Sequence, residues 1–98
     1  MVAVKVVWLP SAASALDREY DYLSAKNRSA ARRVYSRLVA AVRHLGDFPQ
    51  AGRVGQVEGT RELVVPGLPY LLIYRLNAGR VEILRVIHTA TDWPEHLS

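Results

Sequence analysis

Arg53, Arg61, Arg75, Arg85 and His88 are the side chains of this sequence whose types could act on a phosphodiester. Cleaving an RNA backbone without a metal needs a base to take the 2′-hydroxyl proton, cations to stabilise the charged phosphorane, and an acid for the departing oxygen. Guanidinium groups supply the cations. Imidazole is the side-chain type that exchanges a proton near neutral pH, which makes His88 the candidate acid or base. Arg61 and Arg85 fall within strand-like runs, the rigid supports a phosphate clamp requires. Arg61, Arg85 and His88 are therefore the expected catalytic set if the chain is a nuclease. A structural use of the same groups is also open. Glu62 and Glu82 stand close by as partners for arginine, and a histidine at a strand end is often a packing residue.

Other chemistries find less material. His44, His88 and His96 fall in different elements with no clustered carboxylates, so no metal-ligand set and no cofactor are expected. Gly52, Gly55 and Gly59 do not follow a strand and open a helix, which argues against a phosphate-binding loop. Tyr70 and Tyr74 share one strand face with Leu72 between them. Stacking on a base is available to such a pair, but an aromatic stripe of period two reads as core. Trp8 and Trp93 read as packing anchors at the two ends of the fold.

The formal net charge of +4 suggests a polyanionic or acidic partner, and its distribution says more than its size. Lys26, Arg28, Arg32, Arg33, Arg37 and Arg43 lie within residues 26–43, where no acidic residue occurs. From Arg53 onward, five arginines are balanced by five carboxylates. Arg33 and Arg37 stand four apart and share a helical face, with Arg32 beside them. Arg28, Arg32, Arg33, Arg37 and the more distant Arg53 are thus the candidate partner-binding residues.

The elements that must position these groups follow from periodicity. Alternation of Val2, Val4, Val6 and Trp8 predicts a first strand, ended by Pro10 and Ser11, with Ser11 the expected N-cap of a helix. Ala12, Leu16, Tyr20 and Leu23 recur at helical spacing. Residues 27–29 break that pattern and offer caps for a second helix carrying Ala31, Val34, Leu38, Ala41, Val42 and Leu45 on one stripe. Gly46 is expected to end this helix in a left-handed cap, with Pro49 blocking its continuation. Four glycines within residues 46–60 predict a loop. Strands follow at 61–65, 70–76 and 81–88, joined by Pro66-Gly67-Leu68-Pro69 and by Asn77-Ala78-Gly79. The last two runs are apolar on both faces, so they should lie centrally in the sheet. The expected architecture is α+β in the order β-α-α-β-β-β, a helical hairpin on one face of a mainly antiparallel four-stranded sheet. The tail, Thr89 to Ser98, is expected to be irregular or a short terminal turn.

Ninety-eight residues leave room for one core, so 1–98 is expected to be a single domain. Half the residues are hydrophobic and 22% are charged, the balance of a folding chain and not of a disordered one. The absence of cysteine excludes disulfides and thiolate metal sites and fits a reducing cytoplasm. The apolar start is interrupted by Lys5 and is too short to span a bilayer, and it lacks the features of a signal peptide. A cytoplasmic chain with no membrane partner is expected.

Several segments in order carry a resemblance. Trp8-Leu9-Pro10-Ser11-Ala12-Ala13 resembles the strand-to-helix corner of the RelE/ParE toxin superfamily. Residues 27–34, Asn-Arg-Ser-Ala-Ala-Arg-Arg-Val, resemble the start of its second helix, and Phe48-Pro49-Gln50-Ala51-Gly52-Arg53 its post-helix loop. Residues 59–63 and 70–75 resemble its central hairpin. Residues 81–88 and Trp93 resemble its last strand and exit. The resemblance implies the toxin of a type II toxin–antitoxin pair, with the fold derived above. It also implies a small, acidic cognate antitoxin whose tail folds over the toxin, with operator DNA met only through that antitoxin.

The superfamily divides by target. RelE-type members cut mRNA in the ribosomal A site, whereas ParE-type members poison DNA gyrase and carry no nuclease centre. RelE-type nucleases bring lysines and a tyrosine near the exit of the last strand. This chain has only Lys5 and Lys26, and no tyrosine after Tyr74. Missing phosphate donors remove transition-state stabilisation worth several kcal/mol each, on the order of 3, which favours the ParE-type reading. That type in turn often has basic residues after the last-strand histidine, where Thr89-Ala90-Thr91 stands here. The leading expectation is a ParE-like gyrase poison, which is not an enzyme. The alternative is a ribosome-dependent mRNA endoribonuclease using Arg61, Arg85 and His88. The third is an antitoxin-binding module without toxic activity.

Overall fold

A computed structural model describes residues 3–90. Strand β1 is Val6–Trp8, helix α1 Pro10–Lys26 and helix α2 Arg28–Asp47. They are followed by strands β2 Arg53–Val54, β3 Thr60–Val64, β4 Tyr70–Asn77 and β5 Arg80–His88. The sheet runs β1-β5-β4-β3-β2, with β1 parallel to β5 and every other pair antiparallel. The α+β class, the helical hairpin and the interior positions of the two most apolar strands are as the periodicity predicts. The fifth strand was not expected: Arg53 and Val54 pair with Glu62 and Arg61 inside the predicted glycine-rich loop. Two residues are too few to leave a periodic signal. The expectations for the tail, including Trp93 as an anchor, concern residues outside those described.

Helix α1 begins one residue before its expected cap. Leu9 is the N-cap and makes no side-chain capping bond, and Pro10 opens the helix, where its fixed φ suits the first turn and its missing N–H has no partner to lose. The Ser11 hydroxyl instead donates to the Leu84 carbonyl at 3.3 Å and ties α1 to β5. Asn27 alone turns the chain between the helices. Its N–H donates to the Leu23 carbonyl and closes α1, while its side-chain oxygen accepts the Ala30 N–H at 3.1 Å and opens α2.

Gly46 does not cap α2 but lies buried within it, and Phe48 closes the helix with its N–H on the His44 carbonyl. The reason for glycine is close approach. Its carbonyl accepts the Val4 N–H at 2.9 Å, and a Cβ there would meet the Val4 oxygen at 3.3 Å.

One face of the sheet packs on the helices. Tyr70, Leu72 and Tyr74 of β4, with Val81, Ile83 and Val86 of β5, meet Ala12 and Leu16 of α1 and Leu38, Ala41, Val42 and Leu45 of α2. Both tyrosines are core residues, 2% and 0% exposed, and Trp8 packs partly buried against the same cluster. Leu71, Ile73 and Ile87 form a small buried cluster on the opposite face.

In β5 the inward residues change from odd to even numbers, because the register passes from Tyr74↔Ile83 to Ile73↔Arg85 and leaves Leu84 as an extra residue. Such a bulge reverses the facing of everything beyond it.

Candidate functional site

That bulge decides where the candidate catalytic residues stand. Arg61 lies opposite Tyr74 and therefore on the helix-packed face. Arg85 lies opposite Ile73, on the other face, and is exposed. His88 lies opposite Tyr70, back on the helix side, its ring 5.2 Å from the Tyr70 ring in an edge-to-face contact. Four residues along β4 and two strand spacings separate His88 from Arg61, roughly 16 Å, and the buried β4 side chains fill the space between. The three candidates do not converge on one reacting atom.

Arg61 has a local task. Its Nη1 donates to the Gly52 carbonyl at 2.8 Å and reaches the Gln50 carbonyl at 3.5 Å. Tyr74 holds the same loop from below: its hydroxyl donates to the Pro49 carbonyl at 2.8 Å and accepts the Gly52 N–H at 2.9 Å. Burial raises the phenol's proton affinity above its ordinary value of 10.0, with the Gly52 bond and the Arg61 charge opposing. The Gly52–Tyr74 contact, between residues 22 apart in the chain, has no sequence signal beyond a glycine in a polar loop.

Two buried carboxylates on the outer face take up other arginines. Glu62, 4% exposed, accepts from Arg53 Nε and Nη2 at 3.2 and 3.1 Å and from the Gln56 N–H at 3.3 Å. Glu82, 2% exposed, accepts from Arg75 Nε at 2.6 Å and from Arg80 Nε and Nη2 at 3.0 and 2.8 Å, with Asn77 at 3.4 Å. The Arg75 hydrogen bond, seconded by Arg80 and Asn77, holds the Glu82 carboxyl below the ordinary carboxylate range against the effect of burial. The structural use of arginine thus prevails at Arg53 and Arg75. Arg53 is bound to Glu62 on the outer edge of the sheet and stands apart from the basic helix.

The remaining partner-binding candidates are together. Arg28, Arg32, Arg33 and Arg37 are all exposed on α2, and none pairs with a carboxylate among the described residues. Lys26 ends α1 with its ammonium on the Tyr22 hydroxyl at 2.7 Å. At about 100° per residue, the α2 arginines divide between two flanks of the helix. Arg28, Arg32 and Arg43 line one flank; Arg33, Arg37 and His44 line the other, toward β3. No group of three potential metal ligands occurs among the described residues, and none of their helices is long and apolar enough to cross a membrane.

The features that stand together are a two-helix hairpin on a five-stranded mixed sheet, an exposed basic helix, and sheet arginines tied to carboxylates and loop carbonyls. They define a small α+β domain with a basic helical face. The sequence profile described as "ParE toxin of type II toxin-antitoxin system, parDE" matches residues 6–93. Y4kP of Sinorhizobium fredii, provisionally named a toxin, is 38% identical over 93 residues, covering 95% of this chain and 96% of that one. Toxin RelE2 of Caulobacter vibrioides is 34% identical over 86 residues, 88% of this chain and 96% of that one. A solved chain of the chromosomal ParDE toxin–antitoxin system of P. aeruginosa superposes with a TM-score of 0.78 at 26% identity, covering 88% of this chain and 96% of that one. The chain belongs to the ParE toxin family of type II toxin–antitoxin systems.

Proposed function

We propose that the chain is held by a cognate acidic antitoxin and, when free, acts on DNA gyrase by protein–protein contact. The observation that carries the choice of target is the β5 bulge. It puts Arg85 on the face opposite Arg61, and His88 stands roughly 16 Å from Arg61, so a phosphorane could not meet all three. Metal-free cleavage depends on donors converging on the developing charge. A binding toxin needs no such convergence.

The antitoxin reading draws on α2 and on the solved ParDE relative. Helix N-termini favour acidic side chains by about 0.3–1 kcal/mol, yet the first turn of α2 has no acid and begins with Arg28. An arrangement that works against the helix it sits on is accounted for by a negatively charged partner.

The test runs a gyrase supercoiling and cleavage assay beside primer extension on translating ribosomes. Gyrase-linked DNA breaks with intact mRNA support the proposal. Codon-positioned mRNA cuts that vanish in His88→Ala overturn it in favour of the RelE-type nuclease. Silence in both assays, with antitoxin binding retained, leaves a binding module without toxicity.

A further inference from the structure

Strand β5 is paired on both sides only as far as Ile83. β1 ends at Trp8, opposite Ile83, and the Leu9 N–H closes that ladder on the Ile83 carbonyl at 3.0 Å. Beyond the extra residue Leu84, β5 has β4 on one side and no strand among the described residues on the other. The Thr89 N–H bonds the Pro69 carbonyl on the β4 side, and antiparallel ladders alternate. The backbone of Arg85 and Ile87 therefore faces β4, whereas Val86 turns its N–H and C=O to the open side. Neither group has a partner among the described residues.

A depression of about 610 Å³ lies between this open edge and α1. Ser11, Arg18 and Glu19 line it from the helix and Leu84, Arg85 and Val86 from the strand, so its surface is more polar than apolar. Arg18 and Arg85 are exposed, and neither guanidinium has a hydrogen bond or ion pair among the described residues. The fold has already engaged Arg53, Arg61, Arg75 and Arg80 on carboxylates or carbonyls. Glu19, the acid of the lining, accepts the Tyr70 hydroxyl at 2.7 Å.

The helical stripe that faces the depression continues beyond it. Ser11, Ala15, Arg18, Tyr22 and Lys26 recur at intervals of three and four residues, and at about 100° per residue they share one side of α1. Asp17 and Asp21 lie on another flank. Tyr22 is 58% exposed and carries the Lys26 ammonium 4.4 Å from its ring centre.

Two unengaged guanidiniums beside an outward backbone N–H are donors for the oxygens of an anion. An exposed ring among cations, one turn further along, adds a stacking surface, and the two together are what grips single-stranded nucleic acid. A peptide strand would need apolar pockets for its alternate side chains, and this cleft has a polar lining. We infer that the α1–β5 cleft binds a single strand of DNA. Its phosphodiester oxygens take hydrogen bonds from Arg18, Arg85 and the Val86 N–H, and a base stacks on Tyr22. The choice of DNA over RNA rests on the gyrase reading above, since a toxin on gyrase stands beside the DNA that gyrase holds.

The test is fluorescence anisotropy of a labelled oligothymidylate titrated with the full chain, with an oligouridylate of equal length alongside. It runs at about 0.1 M salt, where charges more than about 10 Å apart are screened. Saturable DNA binding is expected, and Arg18→Ala and Arg85→Ala should each weaken it about tenfold or more. Each should also flatten the slope of log affinity against log salt by about 0.7, the share of one phosphate on a single strand. Tyr22→Ala should weaken binding about fivefold or more through lost stacking. Arg37 rests against the β3–β4 turn, where a Cβ on Gly67 would lie 2.6 Å from its Nη1. Arg37→Ala removes the same charge away from the cleft and should change binding less than about twofold. Absence of saturable DNA binding overturns the inference, and so does a loss in Arg37→Ala equal to that in Arg18→Ala, the mark of attraction to net charge alone. Tighter binding of the oligouridylate overturns the choice of DNA. Cleft-dependent DNA binding by a chain that leaves gyrase supercoiling untouched supports the cleft and overturns the gyrase reading.

Discussion

The Tyr74 hydroxyl lies 2.9 Å from the Gly52 nitrogen, and a Cβ added to Gly52 would lie 2.7 Å from that same hydroxyl and 2.8 Å from the Glu62 carbonyl. The contact thus depends on a tyrosine on one side and a missing side chain on the other. Tyr74→Phe removes the hydroxyl that serves both Gly52 and Pro49 and leaves a buried N–H unpaired, a cost of about 1–3 kcal/mol. Gly52→Ala overpacks the same spot by a similar amount, about 1–3 kcal/mol. The two changes act on one contact, so urea denaturation of the double variant should show less than the sum of the single losses.

Glu82 gives the stability a pH dependence of fixed sign. Its folded-state proton affinity is lowered, chiefly by Arg75, from an ordinary value of 4.5. Its contribution is therefore fully present above pH 4.5 and is lost as pH falls below that value toward the lower folded one. Thermal melts of Glu82→Gln should show a lower melting temperature than wild type at pH 7. The difference should narrow on acidification below 4.5, and a gap that widens there would contradict the assignment.

The β4–β5 hairpin carries a correctable strain. Asn77 pairs with Arg80 across a two-residue turn in which Ala78 has φ 53 and Gly79 φ 73. Positive φ at both central positions suits Asn-Gly best, and alanine in that region costs about 1–2 kcal/mol. Ala78→Asn should stabilise the fold by about 0.5–1 kcal/mol, read as a higher denaturation midpoint with unchanged slope.

Arg28 sets stability against binding. Arg28→Glu places a carboxylate in the first turn of α2 and should stabilise the helix by about 0.3–1 kcal/mol at low ionic strength. If the basic helix serves an acidic partner, the same substitution should slow association with the protein encoded by the adjacent reading frame and flatten its salt dependence. Faster association in stopped-flow mixing would count against that use of the helix.

Most of the architecture was legible in local pattern. Helical spacing of Ala31, Leu38, Ala41 and Leu45 and the alternation of Tyr70, Leu72 and Tyr74 mark the buried faces directly, since side-chain direction repeats with the backbone period. Pro10, Asn27 and the Asn77-Ala78-Gly79 turn mark element boundaries through backbone preferences that act within a few residues. The order β-α-α-β-β-β, the two central strands and the concentration of positive charge on α2 therefore follow from sequence alone.

What tertiary structure decided is everything that depends on a residue's distant neighbour. Strict alternation along 81–88 would put Arg85 on the same face as Val81 and Ile83, and hence on the face of Arg61. The extra residue at Leu84 reverses it, and a bulge is set by pairing with β4, not by the sequence of β5. The assignment of Arg53 to Glu62, of Arg75 and Arg80 to Glu82, and of Arg61 to the Gly52 carbonyl was equally hidden. A guanidinium reaches whichever acceptor the fold brings within about 3 Å. The residues that could do chemistry were visible from the start, but the register of one strand separated them.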